Sequence, residues 1–152
     1  MLFRSVLRHY DHPARRSLAQ ALAQVCRERR LPLLVGADAS LAEQVGADGV
    51  HWPEALLPLQ SPRRQRLVTA AAHGIDGLRA ALAYKCDAAI VSPVFATSSH
   101  PDVQPLGMDG LRALAATVPL PIFALGGVAA RNVVALLGSG AAGIAAVRAF
   151  ES

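Results

Sequence analysis

Short apolar runs rich in valine, leucine and isoleucine alternate along this chain with longer segments whose apolar residues recur at helical spacing. This alternation is typical of βα units that form a parallel sheet. Seven runs are predicted strands, centred on Val6-Leu7, Leu33-Leu34-Val35, Asp48 to His51, Leu67 to Ala71, Ala88 to Val91, Pro121 to Leu125 and Gly143 to Ala146.

Four segments between the strands are predicted helices that pack one apolar face on the sheet. The first has Pro13 at its first helical position, where a fixed φ and a missing N–H do no harm. The apolar stripes are Leu18, Ala21, Leu22, Val25 and Cys26; Ile75, Leu78 and Leu82; Met108, Leu111, Leu114, Ala115 and Val118; and Ala130, Val133, Val134 and Leu137.

Two α/β architectures fit this pattern: an open doubly wound sheet, and a (β/α) barrel with seven of its eight strands. No G-x-G-x-x-G motif follows the first predicted strand, which disfavours a dinucleotide-binding sheet. Both architectures place functional residues beyond the carboxyl ends of the strands. The length of 152 residues predicts a single domain, residues 1–152.

The composition narrows the class of protein. Apolar runs are far shorter than the roughly 20 residues of a membrane helix, and Met1 to Tyr10 has no signal-peptide pattern. The net charge of +4 comes with arginine clusters that lack interleaved aromatic residues, so they do not favour nucleic-acid binding. Cys26 and Cys86 are too few and too far apart for a disulfide framework. We therefore expect a cytoplasmic protein that binds neither membrane nor nucleic acid.

A glycine pair follows the sixth predicted strand. Without side chains, Gly126 and Gly127 let backbone N–H groups, and the N-terminus of a helix predicted to begin near Ala129 or Ala130, approach an anion. Arg148 follows the seventh strand, and barrels frequently bind phosphate with the loops after their last two strands. A glycine pair alone is more often a simple turn, but this position predicts a phosphate site.

Two further groups of polar residues follow predicted strands. The loop from Ser92 to His100 carries hydroxyls and an imidazole that can donate hydrogen bonds to phosphate, although an ordinary polar loop is an equal alternative. His51 and His73 lie at or just beyond strand ends, where an imidazole can act as an acid or a base. Structural histidines are the common alternative, and the histidine spacing matches no zinc motif.

Several motifs occur in an order that resembles one known family. Together they cover most of the chain, and the set is more specific than any one of them. They are VGADGVH at 45–51, SPVFAT at 92–97, LGMDGL at 106–111, PIFALGGV at 121–128 and GAAGIAA at 140–146. The chain is similar to thiamine phosphate synthase and its TenI relatives. The resemblance implies a TIM-type (β/α) barrel and a small phosphorylated ligand, a thiazole phosphate or thiamine phosphate.

The resemblance also implies a phosphate corner. Gly126, Gly127 and the backbone of Val147 and Arg148 match the segment with which the family grips phosphate, although a serine is usual at position 148.

The resemblance implies further substrate contacts at positions where some of the family's usual residues are replaced. Thr97 and Ser99 match two threonine positions of the family's pyrophosphate loop, and His100 stands where a lysine is expected. Arg8 matches the arginine of an R-x-K strand in which Tyr10 replaces the lysine. With His51, these residues complete the predicted substrate-binding set.

The magnesium ligands of the synthase are replaced. Its adjacent Asn-Asp falls on Gly36-Ala37, and a second aspartate falls on or near Leu56, so we expect no metal and no cofactor. TenI members can tautomerise a thiazole carboxylate phosphate with a histidine at the position of His73, although a serine usual two residues earlier is Ala71 here. We therefore expect a tautomerase-like enzyme with His73 as its catalytic residue. Retained synthase activity and a catalytically silent phosphate-binding or regulatory barrel are the alternatives.

The family's first strand and helix would precede Val6. A barrel without its first βα unit exposes two strand edges and part of its core. We therefore expect a homodimer or a fragment of a longer product.

Overall fold

The computed structural model describes residues 5–59, 65–98 and 101–147. Within these ranges, the strands pair in parallel and in sequence order, so that β1 and β7 lie at the two edges of a seven-stranded sheet. The doubly wound alternative is excluded, because such a sheet reverses its strand order at a switch point. The strands are β1 (Ser5–Leu7), β2 (Leu33–Gly36), β3 (Gly49–Trp52), β4 (Leu67–Ala72), β5 (Ala88–Val91), β6 (Ile122–Ala124) and β7 (Gly143–Ile144).

Helices α1 (Arg15–Arg29), α2 (Ala39–Val45), α3 (Ile75–Ala83) and α4 (Gly107–Thr117) connect the strands, with 3₁₀ segments at Glu54–Leu59 and Val133–Leu136. None of the helices in the described ranges combines the length and the hydropathy that a membrane crossing requires.

The core lies between the sheet and the helices. Strand residues that face the helices are fully buried, among them Val35, Val50 and Val68 at 0% exposure. Because successive strand residues point to opposite faces, the register aligns Gly36, His51 and Thr69 on the other face, which is the barrel interior. Polar side chains near the strand ends can therefore reach the barrel interior without entering the helix-facing core.

The prediction for the first helix was wrong in its start and partly right in its buried face, because Leu18, Leu22 and Cys26 of the stripe pack against the core. The helix begins at Arg15, two residues after Pro13, and its buried residues are Ala19, Ala23 and Cys26. Val25 is 49% exposed. Alanines lie on both sides of the stripe, so hydrophobicity alone does not orient this helix, whereas their small side chains allow close packing on the sheet.

The helix predicted after Gly127 was also wrong. The chain forms only the 3₁₀ segment Val133–Leu136, with Leu136 buried, while Val134 and Leu137 are 70% and 76% exposed. A helix needs an apolar face that packs, and no residue of the predicted stripe is buried here, since Val133 is half-buried and Ala130, Val134 and Leu137 are exposed. The phosphate prediction therefore loses the contribution of a helix N-terminus.

Candidate active site

The loop after β6 lies directly against the loop after β5. The N–H of Val94 donates to the carbonyl of Leu125 at 2.9 Å, and the N–H of Phe95 donates to the carbonyl of Gly126 at 3.0 Å. The two loops are thus joined main chain to main chain at the carboxyl edge of the sheet.

Both glycines of this loop are required by their surroundings. A Cβ on Gly126 would lie 2.7 Å from the Cα of Pro93, and one on Gly127 would lie 2.4 Å from the carbonyl oxygen of Ala96. Their φ angles of +94° and +65° are ones that glycine adopts readily and other residues rarely do. The glycine pair therefore holds a specific close approach of two loops.

Asn132 closes the same loop from its other end. Its Nδ2 donates to the carbonyl of Gly127 at 2.8 Å, and its Oδ1 accepts from the N–H of Ala129 at 2.8 Å. Sequence reasoning missed this residue, because an asparagine five residues after a glycine carries no signal of its own.

The backbone amides of the loop differ from its carbonyls in their hydrogen bonding. Within residues 5–59, 65–98 and 101–147, the N–H groups of Gly126, Gly127 and Val128 donate to no protein acceptor. The carbonyls of both glycines are engaged, by Phe95 and by Asn132. The loop is thus held through its carbonyls while its amides remain available to an acceptor such as a phosphate oxygen.

The other residues predicted for this corner are described only in part. Val147, three residues beyond β7, is 63% exposed. Thr97 lines an open cleft of about 530 Å³ together with Ala96, Ser98 and residues 101–105. Ser99, His100 and Arg148 lie outside the described residues.

His73, the first residue after β4, pairs with Glu54 from the 3₁₀ segment that follows β3. One carboxylate oxygen, Oε2, accepts from the backbone N–H of His73 at 2.7 Å and lies 2.8 Å from Nδ1 of its ring. The histidine side chain is 58% exposed and that of the glutamate 33%. Sequence reasoning missed Glu54, although an acid just beyond the neighbouring strand was a usable signal.

His51 has a different environment. It is the penultimate residue of β3, it is 4% exposed, and its Nδ1 lies 2.9 Å from the hydroxyl of Thr69. Burial, and secondarily the charge of Arg8, lower the pKa of His51 from 6.5 to about 4. The imidazole is therefore neutral at neutral pH and acts as a hydrogen-bonding group on the interior face.

A guanidinium from α1, that of Arg15, lies at the end of β2. Arg15 donates to the carbonyl of Gly36 and lies 3.4 Å from the carboxylate of Asp38. The ring of Tyr10 is 5.8 Å from the Arg15 guanidinium carbon. Arg8 is exposed just beyond β1. Among the described residues, no group of three or more His, Cys, Asp or Glu side chains could hold a metal ion.

The predicted residues that the structure describes lie at the carboxyl ends of the strands, except His51, which lies one residue inside its strand. Parallel strands end on the same side, so residues following β1, β4, β5, β6 and β7 share that edge. Two strand spacings separate the glycine loop from His73, roughly 10 Å. A small ligand can span that distance.

Comparisons with known proteins support one family. A family model described as thiamine monophosphate synthase (TMP-TENI) matches residues 4–150. A putative thiamine-phosphate synthase 2 from Aquifex aeolicus is 32% identical over 136 residues, which cover 88% of this chain and 73% of that protein. A thiamine-phosphate synthase from Chloroflexus aurantiacus is 36% identical over 135 residues, and this chain covers 62% of its length.

A solved structure is similar as well. Thiamine phosphate pyrophosphorylase from Pyrococcus furiosus superposes with a TM-score of 0.77 at 26% identity, over 94% of this chain and 71% of that one. The fold is thus a TIM-type (β/α) barrel in which this chain provides seven of the eight strands. The chain belongs to the thiamine monophosphate synthase (TMP-TENI) family and is of the thiamine-biosynthesis type.

Proposed function

We propose that this protein binds a thiazole phosphate and catalyses its tautomerisation, as TenI members do, rather than the coupling reaction of a synthase. The observation that carries the proposal is the loop after β6, whose glycine carbonyls are hydrogen-bonded while the amides of Gly126, Gly127 and Val128 donate to no acceptor in the described part of the chain. Neighbouring backbone amides that are not already donating to protein acceptors can donate to a dianionic phosphate.

His73 is the proposed catalytic residue. A tautomerisation relocates one proton, so a single imidazole can accept the proton from one carbon of the substrate and return it to another. Its exposed position beyond β4 supports this role, since the ring can reach a ligand held at the same edge. Thr97 and Arg8 are proposed to contact the ligand from the neighbouring strand ends, with Ser99, His100, Val147 and Arg148 as further contacts.

The proposed reaction uses no metal. Mg²⁺ requires oxygen ligands, usually including carboxylates, when it helps to hold a diphosphate. Gly36, Ala37 and Leu56 supply none from their side chains, and the guanidinium of Arg15 already donates to the carbonyl of Gly36. The carboxylate of Asp38, which follows Ala37, is already engaged by the N–H of Leu41 and by Arg15, which supports a reaction without magnesium.

Synthase activity is the second candidate, because the relatives named above are called thiamine-phosphate synthases. It would require the same loop to hold a phosphate while another arrangement replaced the missing carboxylates. Magnesium-dependent formation of thiamine phosphate is the outcome that would establish it.

The proposal includes the oligomeric state and the cellular compartment of the protein. In the described ranges β1 pairs only with β2 and β7 only with β6, and Ile144 of β7 is 48% exposed. Two copies that shield these edges would form a homodimer. The cytoplasm is the proposed compartment, which suits two buried cysteines that form no disulfide.

The test is an assay of thiazole carboxylate phosphate with wild type and His73→Ala, without added metal. We expect wild-type conversion and a fall in kcat of roughly 100- to 10,000-fold in the variant, with KM little changed. Binding of the compound to both proteins with no turnover by either would leave a phosphate-binding barrel, and unchanged turnover in His73→Ala would remove the catalytic assignment.

A further inference from the structure

We infer that Glu54 is a positioning residue that sets the tautomer of His73, so that Nδ1 carries a proton toward the carboxylate and Nε2 is the atom that exchanges a proton with substrate. The catalytic part of this inference rests on the proposed function, whereas the tautomer itself does not.

The hydrogen-bond geometry requires this tautomer. An ionised carboxylate can only accept hydrogen bonds, so a ring nitrogen 2.8 Å from Oε2 of Glu54 must carry a hydrogen. The same oxygen accepts the backbone N–H of His73 at 2.7 Å, which fixes the carboxylate relative to the end of β4. In the neutral ring Nε2 then carries the lone pair, and among the described residues it has no hydrogen-bond partner.

The neighbouring helix leaves room for the carboxylate. A Cβ on Gly77 in the first turn of α3 would lie 2.6 Å from both Cδ and Oε2 of Glu54. Gly77 has no positive φ, so its backbone conformation does not require glycine. Space for the Glu54 side chain accounts for a glycine at a helical position where most residues are better helix formers.

The nearby charges do not compete for the ring. Asp76 follows His73 by three residues, but its side chain is 93% exposed and pairs with Arg79 at 3.7 Å. Glu54 is thus the carboxylate that contacts His73 within the described ranges. Asp76 offers a matched control, since it is a carboxylate close in sequence that makes no bond to the imidazole.

The proposed reaction neither gains nor loses a proton overall. Nε2 of His73 takes a proton from a substrate carbon, and the electron pair of that C–H bond stays in the substrate. The positive charge of the resulting imidazolium is stabilised by the Glu54 carboxylate, which continues to accept the hydrogen bond from Nδ1–H. Nε2 then gives the proton to the second carbon, which restores the neutral ring and the Nδ1–H tautomer. The cycle needs no co-reactant.

The first experiment measures the tautomer directly, by ¹⁵N NMR of the histidine rings in the ligand-free protein. We expect His73 as the Nδ1–H tautomer in wild type and in Asp76→Asn, and a shift toward Nε2–H in Glu54→Ala. Gly77→Ala should shift it in the same direction, because the added Cβ displaces the carboxylate, and alanine favours the helix. A wild-type ring spectrum in Glu54→Ala would overturn the inference.

The second experiment measures turnover of thiazole carboxylate phosphate. We expect kcat to fall about 10- to 100-fold in Glu54→Ala with KM unchanged, the size of effect seen when a partner that orients a functional histidine is removed. Glu54→Gln, which keeps an acceptor but loses the charge, should retain more activity than Glu54→Ala, and Asp76→Asn should match wild type.

The two experiments separate the two claims. Wild-type kcat in Glu54→Ala, with activity lost in His73→Ala, would overturn the positioning role and leave the proposed function standing. Full activity in His73→Ala would overturn the proposed function, while the ring spectra would still decide whether Glu54 sets the tautomer.

Discussion

The glycine loop after β6 and the His73–Glu54 pair after β4 lie on one edge of the same sheet, but they are built from different parts of the chain. The first uses main-chain groups and tolerates no Cβ on Gly126 or Gly127. The second uses two exposed or half-buried side chains joined at 2.8 Å, and the same Glu54 oxygen accepts from the backbone N–H of His73 at 2.7 Å. An anion held by amides therefore depends on backbone conformation, whereas proton transfer depends on side-chain chemistry.

This difference predicts different consequences of substitution. Changes in the glycine loop should alter folding and phosphate binding together, because the same contacts support both. Changes at His73 and Glu54 should alter turnover and leave stability nearly intact, since these side chains lie outside the core.

The largest effect on stability is expected from Gly127→Ala. Its Cβ would lie 2.4 Å from the carbonyl oxygen of Ala96 at a φ of +65°, which we expect to cost about 4 kcal/mol in free energy of unfolding and to weaken phosphate binding at least about 10-fold. Urea denaturation and calorimetric titration with inorganic phosphate measure both. The control is Gly138→Ala, with a φ of +73° and no atom within 4 Å of its Cβ, which should cost only about 1 kcal/mol. Equal effects in the two variants would contradict the role of the loop contact.

The next largest effect on stability is expected from His51, which is buried, whereas the side chain of His73 is exposed. The pKa of His51 falls from 6.5 to about 4 in the folded state, so between these values the unfolded chain binds more protons. The stability from the neutral, buried ring is complete above pH 6.5 and is lost as the pH falls toward 4. We expect a loss on the order of 3 kcal/mol by urea denaturation at successive pH values. In His51→Gln this component should disappear, and an unchanged pH dependence would show that His51 is not its source.

A smaller effect is expected when the glycine loop is loosened without a clash. Asn132→Ala removes the hydrogen bonds to Gly127 and Ala129, each 2.8 Å long, which should cost about 1–2 kcal/mol of stability. Because the amides then lose their fixed direction, affinity for phosphate should fall several-fold. Phosphate titration of the variant measures this, with Ser40→Ala, at an exposed position of α2, as a control expected to bind like wild type. Wild-type affinity in Asn132→Ala would show that the loop holds its shape without Asn132.

The smallest effect is expected in the 3₁₀ segment after the loop. Val134 is 70% exposed, so Val134→Gln should change the free energy of unfolding by less than about 0.5 kcal/mol. Leu136→Gln, at a buried position of the same segment, should cost several times more. Equal costs by urea denaturation would indicate that Val134 is covered in solution.

The secondary structure was predictable where the apolar residues of an element form a clear run or stripe. Strand positions followed from short apolar runs, and α3 and α4 followed from stripes that include the core residues Leu78 and Leu111. Helix α2, with only seven residues, is too short to show a repeat. The buried face of α1 and the short 3₁₀ segment in place of a helix after Asn132 depend on tertiary packing.

The candidate site was predictable to a similar extent. His73 and the glycine pair stood out because each follows a strand, and their roles stay predictions. Glu54, Asn132 and Arg15 did not stand out, because their contacts join residues from different elements or across a loop. Glu54 lies 19 residues from the histidine that it contacts.

The order of apolar and polar residues by itself determined the strands, their parallel arrangement and the edge at which functional groups gather, because the periodicity of each element is a local property of the chain. Tertiary structure alone decided that Glu54 contacts His73, that His51 is buried and neutral, and that the amides of Gly126 and Gly127 donate to none of the described residues. Burial, desolvation and hydrogen-bond pairing depend on distances across the sheet, which local sequence does not encode.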